Sequence, residues 1–256
     1  FMAGIVPGLL MGVAIAVAWW LVASRENVTL PPAASTREKL LALRDSLWAL
    51  GLPVIVLFGL KFGVFTPTEA AVVAAVYALL VSTVVYHEIN LRQMYSVFVS
   101  ASKITAVIMF LVAASMVSAW LITVADIPDQ VIALLKPFMD NPTMLLVAIM
   151  ILVMIVGTAM DMMPTILILT PVLMPVIKEA GIDPVYFGVL FIMNNAIGLV
   201  TPPVGSVLNV VAGVGKMRLD DVAKGVIPFM IAQFIVMFLL VLFPSIVMVP
   251  LNFLTK

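Results

Sequence analysis

Cysteine is absent from this 256-residue chain, and histidine occurs once, as His87. Without cysteine there is no disulfide, no thiol redox chemistry and no zinc–thiolate site. One histidine falls short of the ligand set an intramembrane zinc protease needs, and at the polar end of an apolar segment His87 reads as an interfacial, snorkelling side chain. Charge is scarce too: 10% of residues are charged, and 13 basic side chains cancel 13 acidic ones. That balance argues against nucleic acid, or an anionic membrane surface, as the main partner. The other enzyme classes fail similarly. Asp161, the acid placed deepest in apolar sequence, has only the distant Glu69 as a mate for aspartyl chemistry, and serine catalysis lacks a base. The run Gly213-Val214-Gly215-Lys216 is not a phosphate loop, because Met217 and Val210 occupy positions that require a hydroxyl and a glycine.

What the chain has in abundance is apolar sequence. With 64% hydrophobic residues and a mean hydropathy of +1.26, it belongs with integral membrane proteins. It begins inside a hydrophobic run and is expected to be a fragment, since roughly 20 apolar residues make one span and there is room for about half a transporter. The first expected span is 1–23, with Trp19 and Trp20 as interfacial anchors. A polar connection from Ser24 to Trp48 follows, carrying an amphipathic interfacial helix that starts at Thr36. The apolar stretch from Leu50 to Tyr86 is interrupted at Gly63-Val64-Phe65-Thr66-Pro67-Thr68-Glu69. There Thr66 and Glu69 form a capping box for a helix resuming at Pro67, or else touch an ion or substrate.

A short interfacial helix is expected from Glu88 to Lys103, a plain span from Ile104 to Val124 with Ser115 and Ser118 as packing hydroxyls, and a surface helix around Val131 to Leu135. Met144 to Ile177 divides into two arms, and the last span is Val226 to Val249. Alternating the connections across the membrane places seven basic residues on one side and five on the other, putting the Ser24–Trp48 connection opposite the Lys216–Lys224 loop. So even a split does not orient the chain.

Two interruptions carry the chemistry. Between the arms stands Gly157-Thr158-Ala159-Met160-Asp161-Met162-Met163-Pro164-Thr165, a natural tip for a re-entrant hairpin, with Asp161 or Thr165 able to cap the second arm. The second interruption lies in Asn194-Asn195-Ala196-Ile197-Gly198-Leu199-Val200-Thr201-Pro202-Pro203-Val204-Gly205, where a helix cannot continue throughout. Non-helical backbone at membrane depth is tolerated only where protein buries it or where it lines a wet cavity. Free carbonyls at such points, with the hydroxyls of Thr158, Thr165 or Thr201, suit sodium, a hard cation that prefers oxygen. Helix N-termini suit an anionic substrate.

Three blocks resemble one family: Gly63–Ala71; Met160-Asp161 through Pro164–Pro171 to Gly181-Ile182-Asp183-Pro184; and Phe187-Gly188 through Asn195 and Gly198 to Thr201-Pro202-Pro203-Val204-Gly205. Together they resemble the C-terminal half of the large membrane subunit of tripartite ATP-independent periplasmic (TRAP) transporters. The resemblance implies an all-α integral membrane protein of elevator type with inverted repeats, one of them present here. It implies scaffold and arm helices in 1–142, a transport-domain hairpin and unwound helix in 143–215, and a connecting loop with a C-terminal helix in 216–256. It further implies sodium held by Gly157, Thr158, Gly198, Thr201 and Pro202, and substrate contacts from Asp161, Pro164, Thr165, Asn194 and Asn195. Thr66, Glu69, Pro203 and Gly205 would shape the site.

The implied activity is sodium-coupled import of an organic anion, either sialic acid or a related sugar acid, or a C4-dicarboxylate. The implied setting is the bacterial inner membrane, multi-pass and in contact with lipid. The implied partners are a periplasmic substrate-binding protein, a small membrane subunit and the N-terminal half of the same subunit. A passive anion channel and a non-transporting scaffold are the competing readings.

Overall fold

A computed structural model describes residues 2–25, 35–202 and 205–254. Every regular element among them is helical: α1 (Ile5–Ala23), α2 (Thr36–Lys61), α3 (Pro67–Leu80), α4 (Leu91–Val124), α5 (Ile127–Met139), α6 (Pro142–Ala159), α7 (Met162–Glu179), α8 (Pro184–Leu199), α9 (Ser206–Gly215), α10 (Leu219–Leu242) and α11 (Ser245–Leu254). A 3-10 turn, Met2–Gly4, precedes α1, and a π-helical turn, Val81–Val85, continues α3. Six stretches are long and apolar enough to cross a membrane.

The chain packs as two compact units. One holds residues 28–106 with the extreme ends of the chain; the other holds residues 3–27 and 107–253. In the first unit, Thr66 caps α3. Its backbone N–H donates to Glu69 Oε2 at 2.7 Å, its hydroxyl donates to the same oxygen at 2.9 Å, and Glu69 N–H donates back to Thr66 Oγ1 at 3.4 Å. The capping role expected for this pair is what the structure contains. Thr66→Ala is therefore expected to destabilise the complete protein by about 1 kcal/mol through loss of the cap. Thermal unfolding of wild type and variant checks this.

Three expected boundaries are corrected. The arm starting at Thr36 and the span after Leu50 form one helix, α2, capped by Ser35 and Glu38 and passing through Pro53. Gly51 leaves room for the Tyr77 ring, whose hydroxyl donates to Trp48 O at 2.7 Å and ties α3 to α2. Likewise the interfacial helix and the plain span merge into the 34-residue α4, because neither glycine nor proline occurs within it. Ser115 and Ser118 donate to the carbonyls of Val112 and Ala114 on the same helix. The third correction falls at the end. The span placed at Val226–Val249 breaks after Leu242, since Pro244 has no N–H to offer Leu240 O. The Tyr186 hydroxyl donates to that carbonyl at 2.8 Å instead.

In the second unit, α6 packs most extensively against α8, and α1 against α10. The core is an apolar stripe at helical spacing, Leu145, Ile149 and Val153 on α6, meeting Leu173, Val176 and Ile177 on α7 and Phe187, Leu190 and Phe191 on α8. Phe187 and Phe191 stack at 5.6 Å between centroids. Asn141 caps α6 and Asp183 caps α8, each accepting from two backbone N–H groups. The surface helix expected at Val131–Leu135 is the longer α5.

The alternation of sides is also corrected. Arg25, at the end of α1, lines a groove with Pro228 to Val236 of α10, and because the start of α1 (Ala3, Met11, Ala14) and the end of α10 (Val236 to Val241) join the central cluster, Arg25 lies at the α10 end that carries Lys216–Lys224 rather than opposite it. The alternation counted 50–86 as one crossing, whereas the break before Thr66 leaves two stretches long and apolar enough to span, Thr36–Lys61 and, with its π-helical turn, Pro67–Val85.

Candidate functional site: a helical hairpin against a broken helix

The hairpin turns where the sequence places it. α6 ends at Ala159, Met160 and Asp161 are extended, and α7 begins at Met162. Asp161 occupies the N-cap position with an extended backbone (φ −66, ψ 160), but its side chain makes no capping bond, contrary to one expected role. Nor does Thr165 cap. It is fully buried inside α7, and its hydroxyl donates to Asp161 O at 2.9 Å. Asp161 is exposed and Pro164 partly buried.

Helix α8 runs through Leu199, so Gly198 lies in its last turn rather than at the start of unwound chain. The non-helical stretch begins at Val200, and α9 resumes at Ser206. Helix α8 can continue past Asn194, Asn195 and Gly198 because none of them removes an N–H; Pro202 is the first residue here that does. Thr201 and Pro202 are partly buried, and the Thr201 hydroxyl donates back to Ile197 O at 2.7 Å, keeping its own lone pairs free to accept. Pro203 lies outside the described residues. Gly205 has φ +39, a conformation costly for other residues, and it is buried.

The two helices meet in the last turn before each breaks. A Cβ on Gly198 would lie 2.9 Å from Gly157 C and 3.0 Å from Gly157 Cα, so the α6 and α8 backbones touch where both residues lack side chains. Four hydrogen bonds surround the contact, three of them between segments and one within α6. Gly205 N–H donates to Thr158 O at 3.3 Å, supplying a carbonyl that the end of α6 leaves without a helical partner. The Thr158 hydroxyl donates to Ile155 O at 2.7 Å. Asn194 Nδ2 donates to Met150 O at 2.6 Å, tying α8 to the first arm of the hairpin. Asn195 Nδ2 reaches Met162 O of the second arm at 3.4 Å. The Asn195 side chain is fully buried, and its Oδ1 has no hydrogen-bond partner.

Residues 1–246 match the sequence family described as tripartite ATP-independent periplasmic transporter, DctM component. The chain belongs to that family. DctM-family relatives agree across nearly its whole length. The chain is 49% identical over 252 residues to the 2,3-diketo-L-gulonate TRAP transporter large permease protein of Escherichia coli (strain K12), covering 98% of this chain and 59% of that protein. It is 36% identical over 245 residues to the sialic acid TRAP transporter large permease protein of Vibrio cholerae, covering 96% of this chain and 57% of the relative. It is also 36% identical over 246 residues to the C4-dicarboxylate TRAP transporter large permease protein of Pseudomonas aeruginosa, covering 96% and 58%. The chain thus spans rather more than half the length of these large permeases. As a DctM-family member with six membrane-length helices, it is a multi-pass protein of the bacterial inner membrane.

Of the expected site residues, Gly157, Thr158, Asp161, Pro164, Thr165, Asn194, Asn195, Gly198, Thr201, Pro202 and Gly205 lie on the hairpin and the broken helix of the same unit. Thr66 and Glu69 belong to the other unit. Tyr186 escaped the sequence reading: it is buried and anchors the base of α8 to the end of α10 through Leu240 O and Val241 O, at 2.8 and 3.3 Å. Its signal was available, since Pro244 four residues after Leu240 announces a carbonyl in want of a donor.

Proposed function

We propose that this chain forms part of a sodium-coupled secondary transporter. The complete protein imports an organic anion, a sugar acid or a C4-dicarboxylate, handed over by a periplasmic substrate-binding protein. It works with a small membrane subunit and with the remaining part of the large subunit, which would supply the inverted counterpart of the repeat described above. Sugar acids are favoured within that class, because identity is higher to the diketogulonate permease than to the sialic acid or dicarboxylate permeases.

The observation that carries the reading is the glycine-on-glycine meeting of α6 and α8 in the last turn before each helix breaks, in an otherwise membrane-grade unit. Interrupted helices at membrane depth expose backbone carbonyls and helix N-termini, the groups that replace the hydration of a small cation and attract an anion. The donor set fits sodium. Thr201 keeps accepting lone pairs, Asn195 Oδ1 is a buried oxygen without a partner 3.0 Å from where a Gly157 Cβ would stand, and the Thr158 carbonyl at the end of α6 is within reach of the break at Gly205. Among the described residues no three acidic or histidine side chains converge, so the inventory favours a hard ion with neutral oxygen ligands over a transition metal. The N-termini of α7 and α9 would face the anion, and the ties from Asn194 and Asn195 would make hairpin and broken helix move together in an elevator step.

Uptake of labelled sugar acids and C4-dicarboxylates into proteoliposomes, using the complete transporter with its binding protein, tests the proposal. Replacing external sodium with potassium is expected to abolish uptake. Thr201→Ala is expected to raise the sodium concentration for half-maximal uptake about tenfold, the equivalent of about 1.4 kcal/mol. Uptake that is indifferent to both changes would overturn the sodium assignment.

A further inference from the structure

Outside the site, one groove combines an apolar trough with a cationic end. It runs between α1 and α10 and has a volume of about 460 Å³. Ala18 and Val236, 6% and 8% exposed, form its floor, while Val17, Leu21, Ile231 and Ile235 form exposed walls. Arg25 lines the end of the groove beside Val22 and Pro228. The α1 residues that join the central cluster, Ala3, Met11 and Ala14, come from its start, and those of α10, Phe234, Val236, Met237, Leu240 and Val241, from its end, so the two helices run antiparallel. The α10 lining repeats at 228, 231 and 235, and one turn back along that stripe stands the exposed Lys224. Arg25 and Lys224 therefore mark the same end.

Dimensions and charge point to one occupant. From Ala14 to Arg25 the lining of α1 extends about 16 Å at 1.5 Å per residue, the hydrocarbon depth of one leaflet in a bilayer about 30 Å thick. Beyond the guanidinium, the lining offers only apolar side chains. At the basic end Lys216 and Arg218 precede Lys224, against Asp220 and Asp221; Arg218 pairs with Asp220 at 3.5 Å. Within this unit four basic residues, Arg25, Lys216, Arg218 and Lys224, lie at this end and two, Lys136 and Lys178, at the other, where Leu135 and Ile177 pack into the cluster that holds Ala3. By the positive-inside rule this is the cytoplasmic side, where anionic headgroups attract juxtamembrane Lys and Arg.

We propose that the α1–α10 groove is a binding site for one anionic phospholipid of the cytoplasmic leaflet, an acyl chain lying in the trough and the headgroup phosphate held by Arg25 and Lys224. In this arrangement the apolar stem of Arg25 would lie along the trough and its guanidinium at headgroup level. The groove thereby joins the transport unit to the composition of the surrounding leaflet, independently of whether sodium drives the transporter.

The complete large subunit, with its partner subunit, is reconstituted into bilayers of phosphatidylcholine mixed with brominated phosphatidylglycerol or brominated phosphatidylcholine. A bimane label is placed on Val17→Cys, with Leu9→Cys, exposed on α1 and outside the groove, as the control. Any native cysteines elsewhere in the complete subunit are first replaced. Quenching at position 17 is expected to favour phosphatidylglycerol several-fold over phosphatidylcholine, and quenching at position 9 to show no preference. The preference at 17 should vanish in Arg25→Gln/Lys224→Gln and survive in Arg25→Lys. Equal quenching by both lipids at 17, or a preference unchanged by the double substitution, would overturn the proposal. Absence of quenching by either lipid would also overturn it, because the groove would then be covered by protein. Monodisperse elution of each variant establishes that the comparison is between folded proteins.

Discussion

Gly198→Val is expected to reduce substrate uptake by the complete transporter by about a hundredfold or more, whereas Gly188→Ala leaves it unchanged. The difference lies in what a new side chain meets. At Gly188 an added Cβ has no heavy atom within 4 Å, but at Gly198 it would stand 2.9 and 3.0 Å from backbone atoms of Gly157. Backbone on a packed helix cannot swing aside as a flexible side chain can. Relief therefore requires α6 and α8 to separate, at the 1–3 kcal/mol or more typical of overpacking. Separation also pulls the end of α6 away from Gly205, whose N–H reaches Thr158 O at 3.3 Å. A shift of about 1 Å in binding groups is enough to cost about a hundredfold in rate. Gly157→Ala provides a graded comparison, because its Cβ meets the Asn195 Oδ1 side-chain atom at 3.0 Å, which can give way more readily. Initial uptake rates, normalised to folded protein in the vesicle, should rank wild type, Gly157→Ala and Gly198→Val in that order.

The second large effect is expected from the two adjacent amides, with opposite signs. Asn194 makes a short bond, 2.6 Å, from a side chain only 2% exposed, so Asn194→Leu is expected to lower the melting temperature whether or not sodium is present. Asn195 is different. Its donor contact is long, 3.4 Å, and its Oδ1 is buried without a partner, an arrangement that costs about 1–3 kcal/mol and that the proposed sodium ion would relieve. Asn195→Leu should leave the sodium-free protein at least as stable as wild type and remove most of the stabilisation that the proposed sodium ion would confer, which follows ligand occupancy. Thermal unfolding of the complete protein over a sodium titration measures both. An Asn195→Leu protein with an undiminished sodium response would show that this oxygen does not serve the ion.

Much of the site was legible because proline and glycine punctuate a membrane sequence strongly. Gly157 through Thr165 announced a hairpin tip, Gly198 through Gly205 a break that the structure narrows to begin at Val200, and Thr66 with Glu69 a capped restart, and each lies at an element boundary. Errors arose where polarity was taken for punctuation. The charged first half of α2 and the polar start of α4 looked like separate surface helices, yet backbone hydrogen bonding propagates through polar side chains as readily as through apolar ones. The reverse error occurred at Pro244, where unbroken hydrophobicity concealed a chain break.

Membership of the membrane class, the exclusion of thiol and histidine chemistry, and the positions of the main interruptions were determined by the sequence itself. These depend on local properties: side-chain transfer energy, missing N–H groups and permitted backbone angles. Tertiary structure alone decided that Gly157 rests on Gly198, that Asn194 and Asn195 reach opposite arms of one hairpin, that Tyr186 replaces the donor Pro244 lacks, and that Arg25 shares an end with Lys224. Each joins residues about 30 or more positions apart. No local preference encodes such a pairing; it emerges when helices whose apolar stripes must be buried settle at the one approach their smallest side chains allow.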